Sequence, residues 1–378
     1  MKKVLQLTLP ILGMLVMLLA LVGQSSVVNA HANLVAGQWK LAGSLNIPRF
    51  YHAATLLKND KVLIVGGESF SGSTFTVLAS AELYDPSTGK WSFTGSMHVA
   101  RYNQTATQLN NGEVLVAGGQ DSNNNPLASA ELYNPVTGKW SMTGNMNNVR
   151  FSHVAQRLQN GQVLVAGGED KGNSAIASAE LYNPSTGKWS QTSSMNIARK
   201  DFTATQLRNG PVLVAGGQGN FTNALASAEL YNPSTGKWSL TGSMNQIRLG
   251  HTATDLNNGQ ILVAGGEYWS NKGYAIALAS AELYNPAIGK WSFTGNMNNL
   301  HAHHTATLLN NGQVLVAGNV AQSELYDSKT AKWSLTGSMN YARELYTATR
   351  LNNGQVLAVG GQGNSSTPIA QAELFIRS

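Results

Sequence analysis

The apolar residues of this chain fall into short continuous runs that return at a near-constant interval, with the same polar turns between them. In the stretch 203–251 a Thr-Ala-Thr run is followed by Asn209-Gly210, the run Val212-Leu213-Val214-Ala215, an Ala-Glu-Leu-Tyr run around Glu229, and a Thr-Gly-Lys-Trp turn ending at Trp238. Segments this short, bounded by glycine, asparagine and proline, predict strands over 202–207, 211–216, 226–231 and 237–241. Val212 to Ala215 is apolar throughout instead of alternating, which suits a strand covered on both faces. Asn111-Gly112, Asn160-Gly161, Asn209-Gly210 and Asn258-Gly259 supply the positive φ that a tight hairpin needs.

These anchors return along the chain. The turn tryptophan stands at Trp39, Trp91, Trp140, Trp189, Trp238, Trp291 and Trp333, so successive spacings are 52, 49, 49, 49, 53 and 42 residues. A Glu-Leu-aromatic run recurs at Glu82, Glu131, Glu180, Glu229, Glu282, Glu324 and Glu373. Double glycine closes the apolar run at Gly67, Gly119, Gly168, Gly217, Gly266 and Gly361, and the sixth copy has Gly318-Asn319 in its place. Self-similarity at a period near fifty residues marks a solenoid, propeller or array. Four strands per copy make a blade, and there are seven copies. Residues 37–43 match an outermost strand with nothing before them to supply the other three, whereas 343–376 hold the first three runs and no fourth. The N-terminal strand is therefore expected to complete the C-terminal blade, closing a ring and removing a free edge.

Double glycine, then tyrosine, then tryptophan at this spacing resembles the kelch repeat, over residues 37–376. The resemblance implies an all-β fold, a seven-bladed kelch-type β-propeller of four-stranded blades around a central channel, with residues 31–378 as a single domain. Such propellers also occur in copper oxidases resembling galactose oxidase, whose radical site needs a tyrosine cross-linked to cysteine. The chain has no cysteine, so that chemistry is closed to it, and no cofactor or metal is expected. Another relative that the resemblance brings in, the periplasmic sialic acid mutarotase, uses ionisable groups at the propeller mouth. Asp201, Glu68 and Glu169 are the residues here suited to act as acid or base.

Composition narrows the picture further. Met-Lys-Lys, an apolar run from Leu5 to Val22 and the ending Val28-Asn29-Ala30 make residues 1–30 read as a secretory signal peptide cleaved after Ala30. A secreted monomer with no membrane span after cleavage is the expectation. Absence of cysteine excludes a lipid-modified cysteine, a disulfide framework and a Cys-ligated metal. Of the formal charge of +6, Lys2 and Lys3 leave with the signal, and +4 remains. Lys90, Lys139, Lys188, Lys237, Lys290 and Lys332 hold the same turn position in successive copies and read as a solvated ring, so no nucleic-acid partner is expected.

Strands within a blade alternate direction, so loops joining the second strand to the third, and the fourth to the next blade, share one face. The near-identical Asn-Asn-Gly and Asn-Pro-Ser-Thr-Gly-Lys turns fall on the other and read as structural punctuation. Loops after the double glycine vary, which is where function sits on a rigid scaffold. They are opened by Glu68, Glu169 and Glu267 among others, and carry Phe70, Phe75, Phe221, Tyr268, Trp269 and Tyr274, a mixture suited to a ligand with apolar patches and many hydroxyls.

A side chain required by the fold should recur in every copy, while one required by a ligand should break the symmetry. Arg49, Arg101, Arg150, Arg199, Arg248 and Arg343 recur, with His301 in the sixth copy, and are assigned to the fold as partners of the recurring glutamates, because a buried arginine needs a carboxylate. Two residues further on stand Tyr51, Asn103, Ser152, Asp201, Gly250, His303 and Leu345, which share no chemistry. The kelch resemblance implies that residues near this point line the channel mouth. The expected function is a non-enzymatic recognition module for an extracellular glycan or protein, the alternative a sugar isomerase or mutarotase. Strand alternation would put His301 and His303 on one face and align His304 with His52, His153 and His251; the trio reads as a degenerate blade rather than a metal site, and His31 as a chance occupant of the mature N-terminus.

Overall fold

Each copy of the repeat forms one four-stranded antiparallel sheet in the computed structural model, which describes residues 37–377 apart from 72–73, 221–223, 271 and 364–366. Residues 1–30, expected to be a signal peptide, and His31 and Phe221 lie outside the described residues. Seven such sheets follow one another as the blades of a propeller, and the described residues contain no helix. In blade 4 the strands are Thr203–Gln206, Val212–Ala215, Ala228–Asn232 and Lys237–Leu240, paired in chain order. The first strands of neighbouring blades touch one another all the way round, so they form the innermost layer, and the Lys-Trp strands form the rim.

The continuous apolar run is explained by where the core lies. Leu158, Leu164, Ala166 and Ala179 of blade 3 pack against Val212, Val214 and Tyr231 of blade 4, so the second strand is covered by its own blade on one face and by the next on the other. The same layer recurs at each blade boundary. Trp238 Nε1 donates to Ser193 O of the preceding blade at 2.8 Å, and Tyr231 OH lies 3.0 Å from Thr192 Oγ1. Buried polar tips thus find partners across the boundary, and the aromatic rings fill it.

Double glycine is required by both space and conformation. Gly216 and Gly217 have φ of 65° and 89°, and a Cβ on Gly217 would sit 2.4 Å from Lys200 O. In blade 6 the pair is Gly318 at 107° and Asn319 at 67°, asparagine being the residue that best tolerates the left-handed region without losing its side chain. There the loop is absent and Gln313–Gly318 runs almost directly into Val320–Asp327.

The ring is closed by its two ends. Gln38–Ser44 pairs with Gln371–Ile376 as the fourth strand of blade 7, in the order N-terminal strand, 371–376, 356–359, 347–350. Trp39 packs against Phe375 with the rings tilted and their centroids 5.3 Å apart, and its Nε1 donates to Ser323 Oγ of blade 6 at 3.0 Å. No helix among the described residues is long and apolar enough to cross a membrane.

Candidate functional site

Below the variable face six of the seven blades carry a buried Arg–Glu ion pair. Arg150 Nη1 donates to Gly167 O and Ser178 O at 2.9 and 3.0 Å, and Nη2 donates to Ser178 Oγ and Glu180 Oε1, both at 3.1 Å. Glu180 accepts three further short bonds, from Asn147 N and Nδ2 at 2.7 Å and from Asn148 N at 3.0 Å. Equivalent pairs join Arg49 to Glu82, Arg101 to Glu131, Arg199 to Glu229, Arg248 to Glu282 and Arg343 to Glu373, between 2.7 and 3.1 Å, with both side chains fully buried. Burial pushes each guanidinium's pKa down while the facing glutamate pulls it back up. In blade 6 the fully buried His301 donates from Nδ1 to Gly318 O at 2.9 Å and brings Nε2 to 3.4 Å from Glu324 Oε1. Burial pushes Glu324 up, but the His301 contact and the Asn298 and Asn299 donors outweigh it and take its pKa to about 2.

This bolt fixes where the chain emerges two residues later. Tyr51, Asn103, Ser152, Asp201, Gly250, His303 and Leu345 all lie in the left-handed region, with φ between 49° and 58°. Only one of the seven is glycine. Their backbones link from blade to blade: Tyr51 N donates to Leu345 O at 3.2 Å, Asn103 N to Tyr51 O at 3.1 Å, Ser152 N to Asn103 O at 3.4 Å, Gly250 N to Asp201 O at 3.2 Å and His303 N to Gly250 O at 2.9 Å. A ring of unlike side chains therefore rests on a ring of like backbones. For an L-residue this conformation costs about 1–2 kcal/mol, and the extra freedom of glycine offsets roughly 0.5–1 kcal/mol of any gain from replacing it. Ser152→Gly is thus expected to be neutral or to stabilise by up to about 1 kcal/mol in a thermal melt; a loss larger than that would mean that the Ser152 side chain itself supports the fold.

The ring surrounds a cavity of about 320 Å³ at the channel mouth, lined by Tyr51, Asn103, Ser152, Asp201 and Leu345. Its floor comes from the next residue of each blade, among them His52, Gln104, His153, Phe202 and Tyr346. Reading the sequence did not single these out as site residues. They bolt blades together, His52 Nε2 to Thr347 Oγ1 at 2.9 Å and His153 Nε2 to Thr105 Oγ1 at 3.0 Å, and burial lowers the pKa of both histidines to about 3, which keeps them neutral. Recurring histidine one position past the symmetry-breaking one was the available signal.

On the far side of the mouth His303 faces Glu267, with Nε2 and Oε1 3.4 Å apart. That contact raises the His303 pKa, and Asp201 and Glu344 add to it against burial. Asp201 is half-buried, and desolvation raises its carboxyl above the usual range while His303 and Lys200 pull it back. Glu68 is raised by burial, and the Tyr51 phenol by burial and then by the charges of Asp201, Glu68 and Glu344. Neighbouring Tyr102, 6.2 Å from Tyr51 between ring centroids, is pushed up to about 12, again mainly by burial.

The loop candidates divide. Glu169, one of the carboxylates suited to acid or base work, is buried and ion-paired to Lys200 at 2.8 Å. Phe70 and Phe75 stand opposite each other in a two-stranded ribbon, Glu68–Ser71 with Thr74–Val77, their rings 4.7 Å apart. A second ribbon, Glu267–Trp269 with Ala275–Ala277, holds Tyr268 and Trp269, with the exposed Tyr274 just before its second strand. Neither set of aromatics lines the mouth cavity. The expectation that His301 and His303 share a face fails: His301 points into the blade, His303 to the mouth and His304 to Thr252 at 3.0 Å of the preceding blade. The left-handed backbone at His303 breaks the alternation on which that expectation rested.

The Kelch motif model matches residues 49–98, 101–147, 158–196 and 208–245. Among solved structures the chain is similar to a novel fungal alcohol oxidase with catalytic diversity among the AA5 family, in complex with copper, at a TM-score of 0.73 and 16% identity over 90% of this chain and 76% of that one. It is also similar to YjhT, at 0.59 and 14% over 87% and 95%. At these identities the likeness is one of fold. None of the curated proteins matches the chain significantly. A copper radical centre does not fit the residues present: there is no cysteine to cross-link to tyrosine, and among the described residues no group of three or more His, Asp or Glu converges on a point.

Proposed function

The chain is a kelch-repeat β-propeller, and we propose that it is a secreted recognition module whose channel mouth and loop face hold an extracellular glycan or a protein segment without transforming it. One observation carries this reading: side chains as unlike as Tyr51, Asp201 and Leu345 are kept in a backbone conformation that glycine would occupy at lower cost, at a ring of positions where the blades do not repeat. Strain retained around a cavity points to function there. Tyr51 offers a ring face and a hydroxyl, while Asn103, Ser152 and Asp201 offer donors and acceptors, the lining a polyhydroxylated ligand needs. Secretion is supported by the signal-like residues 1–30.

A second reading, a mutarotase-like enzyme acting on a sugar, is favoured by the Asp201 and His303 pair, both with raised pKa and each felt by the other across Gly250. A glycan-array screen followed by proton NMR on every binder separates the two. The recognition reading expects a bound sugar whose anomers exchange no faster than in buffer. Accelerated anomer exchange that Asp201→Asn abolishes would replace it with the second.

A further inference from the structure

The two faces of the propeller carry opposite charge. On the face opposite the mouth, the turns joining first to second and third to fourth strands, with the strand residues that abut them, hold thirteen Lys and Arg against five Asp and Glu. On the mouth face, outside the buried Arg–Glu bolts, three lysines stand against seven carboxylates. A chain that is only mildly basic as a whole is therefore strongly two-sided, and its field attracts anions to one face and repels them from the other. Lys90, Lys139, Lys188, Lys237, Lys290 and Lys332 are all exposed, one in each of blades 1 to 6 with Gln38 at the equivalent place in blade 7, and among the described residues none of the six lies within ion-pair distance of a carboxylate.

Between the lysines the face is notched. Clefts of about 490, 370 and 460 Å³ lie at the successive boundaries of blades 2 and 3, 3 and 4, and 4 and 5. The first is lined by Asn110, Asn111, Asn160, Gln162, Asn183 and Ser185 among others, with no charged side chain. Carboxamides present a donor and an acceptor together and match vicinal hydroxyls. Regular recurrence of cleft and cation suits a ligand that itself repeats, each added contact becoming intramolecular once the first is made.

We propose that this face is a second binding site, independent of the mouth, for an anionic polysaccharide of the polyuronate type, its carboxylates on the lysines and its hydroxyls in the carboxamide clefts. The chemistry of the face selects among polyanions. No aromatic side chain is exposed there among the described residues to stack a nucleobase, and the exposed apolar residues are the isolated Val136 and Ile288, too few to enter a bilayer.

The test uses the full chain and sodium polygalacturonate, titrated at about 20 and about 200 mM salt, where multi-ion binding is expected to weaken by roughly tenfold or more. Lys139→Glu/Lys188→Glu should weaken binding by at least about tenfold at low salt, while Lys171→Glu/Lys272→Glu, the same change in net charge placed on the mouth face, should leave it unchanged. Lys139→Gln/Lys188→Gln serves if the reversed pair fails to melt like the parent, with a smaller loss expected. Equal loss in both pairs, no loss in the first, or equal binding of the fully methyl-esterified polymer overturns the site. Duplex DNA or anionic phospholipid vesicles binding as tightly as polygalacturonate overturns the assignment to a uronate.

Discussion

A chain lacking residues 31–45 is expected to aggregate or to unfold outright. The truncation removes the strand Gln38–Ser44, which pairs from Gln38 opposite Ile376 to Ser44 opposite Gln371, and leaves the last C-terminal strand as a bare edge. It also takes Trp39 from between Phe375 and Ser323, and with it the only fourth strand blade 7 has. Deleting the Trp39 side chain alone should cost about 3–5 kcal/mol, the usual range for a large buried aromatic. Size-exclusion chromatography and a thermal melt decide the matter. A truncated monomer that melts with the parent would mean that blade 7 stands with three strands and that closure does not hold the ring.

Arg150→Ala should destabilise the fold by roughly 3–5 kcal/mol, because it removes one partner of a fully buried pair and leaves the other charged. The guanidinium also satisfies Gly167 O in a buried contact, and Ser178 O and Ser178 Oγ in part-buried ones. Arg150→Lys should recover little, since one ammonium cannot span acceptors set out for a planar fork. In Arg150→Ala/Glu180→Gln the loss should be smaller than the sum of the single variants, because the stranded charge is gone and the amide oxygen can still accept from Asn147, although the Asn148 N–H then loses its acceptor. Denaturant or thermal unfolding of the four proteins gives the cycle; a loss under about 1 kcal/mol for Arg150→Ala would show that the bolts are dispensable.

What could be read in the sequence was what chemistry forces to repeat. Trp238, Tyr231 and Gly217 each have a contact that no other residue makes as well, so they return in nearly every copy and reveal the period, the four strands and the closing strand. Arg150 and Glu180 recur together and stand 3.1 Å apart. The conformation of the mouth was not legible, because Tyr51, Ser152 and Leu345 are not residues that announce a left-handed backbone. Nor could residue types tell that Phe70 would face Phe75 across a ribbon, or that Lys200 would claim Glu169, since both depend on how a loop of given length folds back. Where the blade departs from its own pattern, at His301 and His303, a rule of alternation borrowed from strands gave the wrong orientation because the backbone there is not a strand.

The division between repeated residues that hold the fold and unrepeated ones that meet the ligand is tested most directly by titrating a glycan identified in the array screen into the parent and into Tyr51→Ala and Asp201→Asn, with a melt of each. Half-buried positions at the mouth should shift stability by about 1 kcal/mol or less, whereas loss of a ring face or a hydrogen bond to the ligand should lower affinity about tenfold or more. Melting close to the parent with affinity lost in both variants is the predicted result. Full affinity in both, with the ligand held by residues common to every blade, would contradict it.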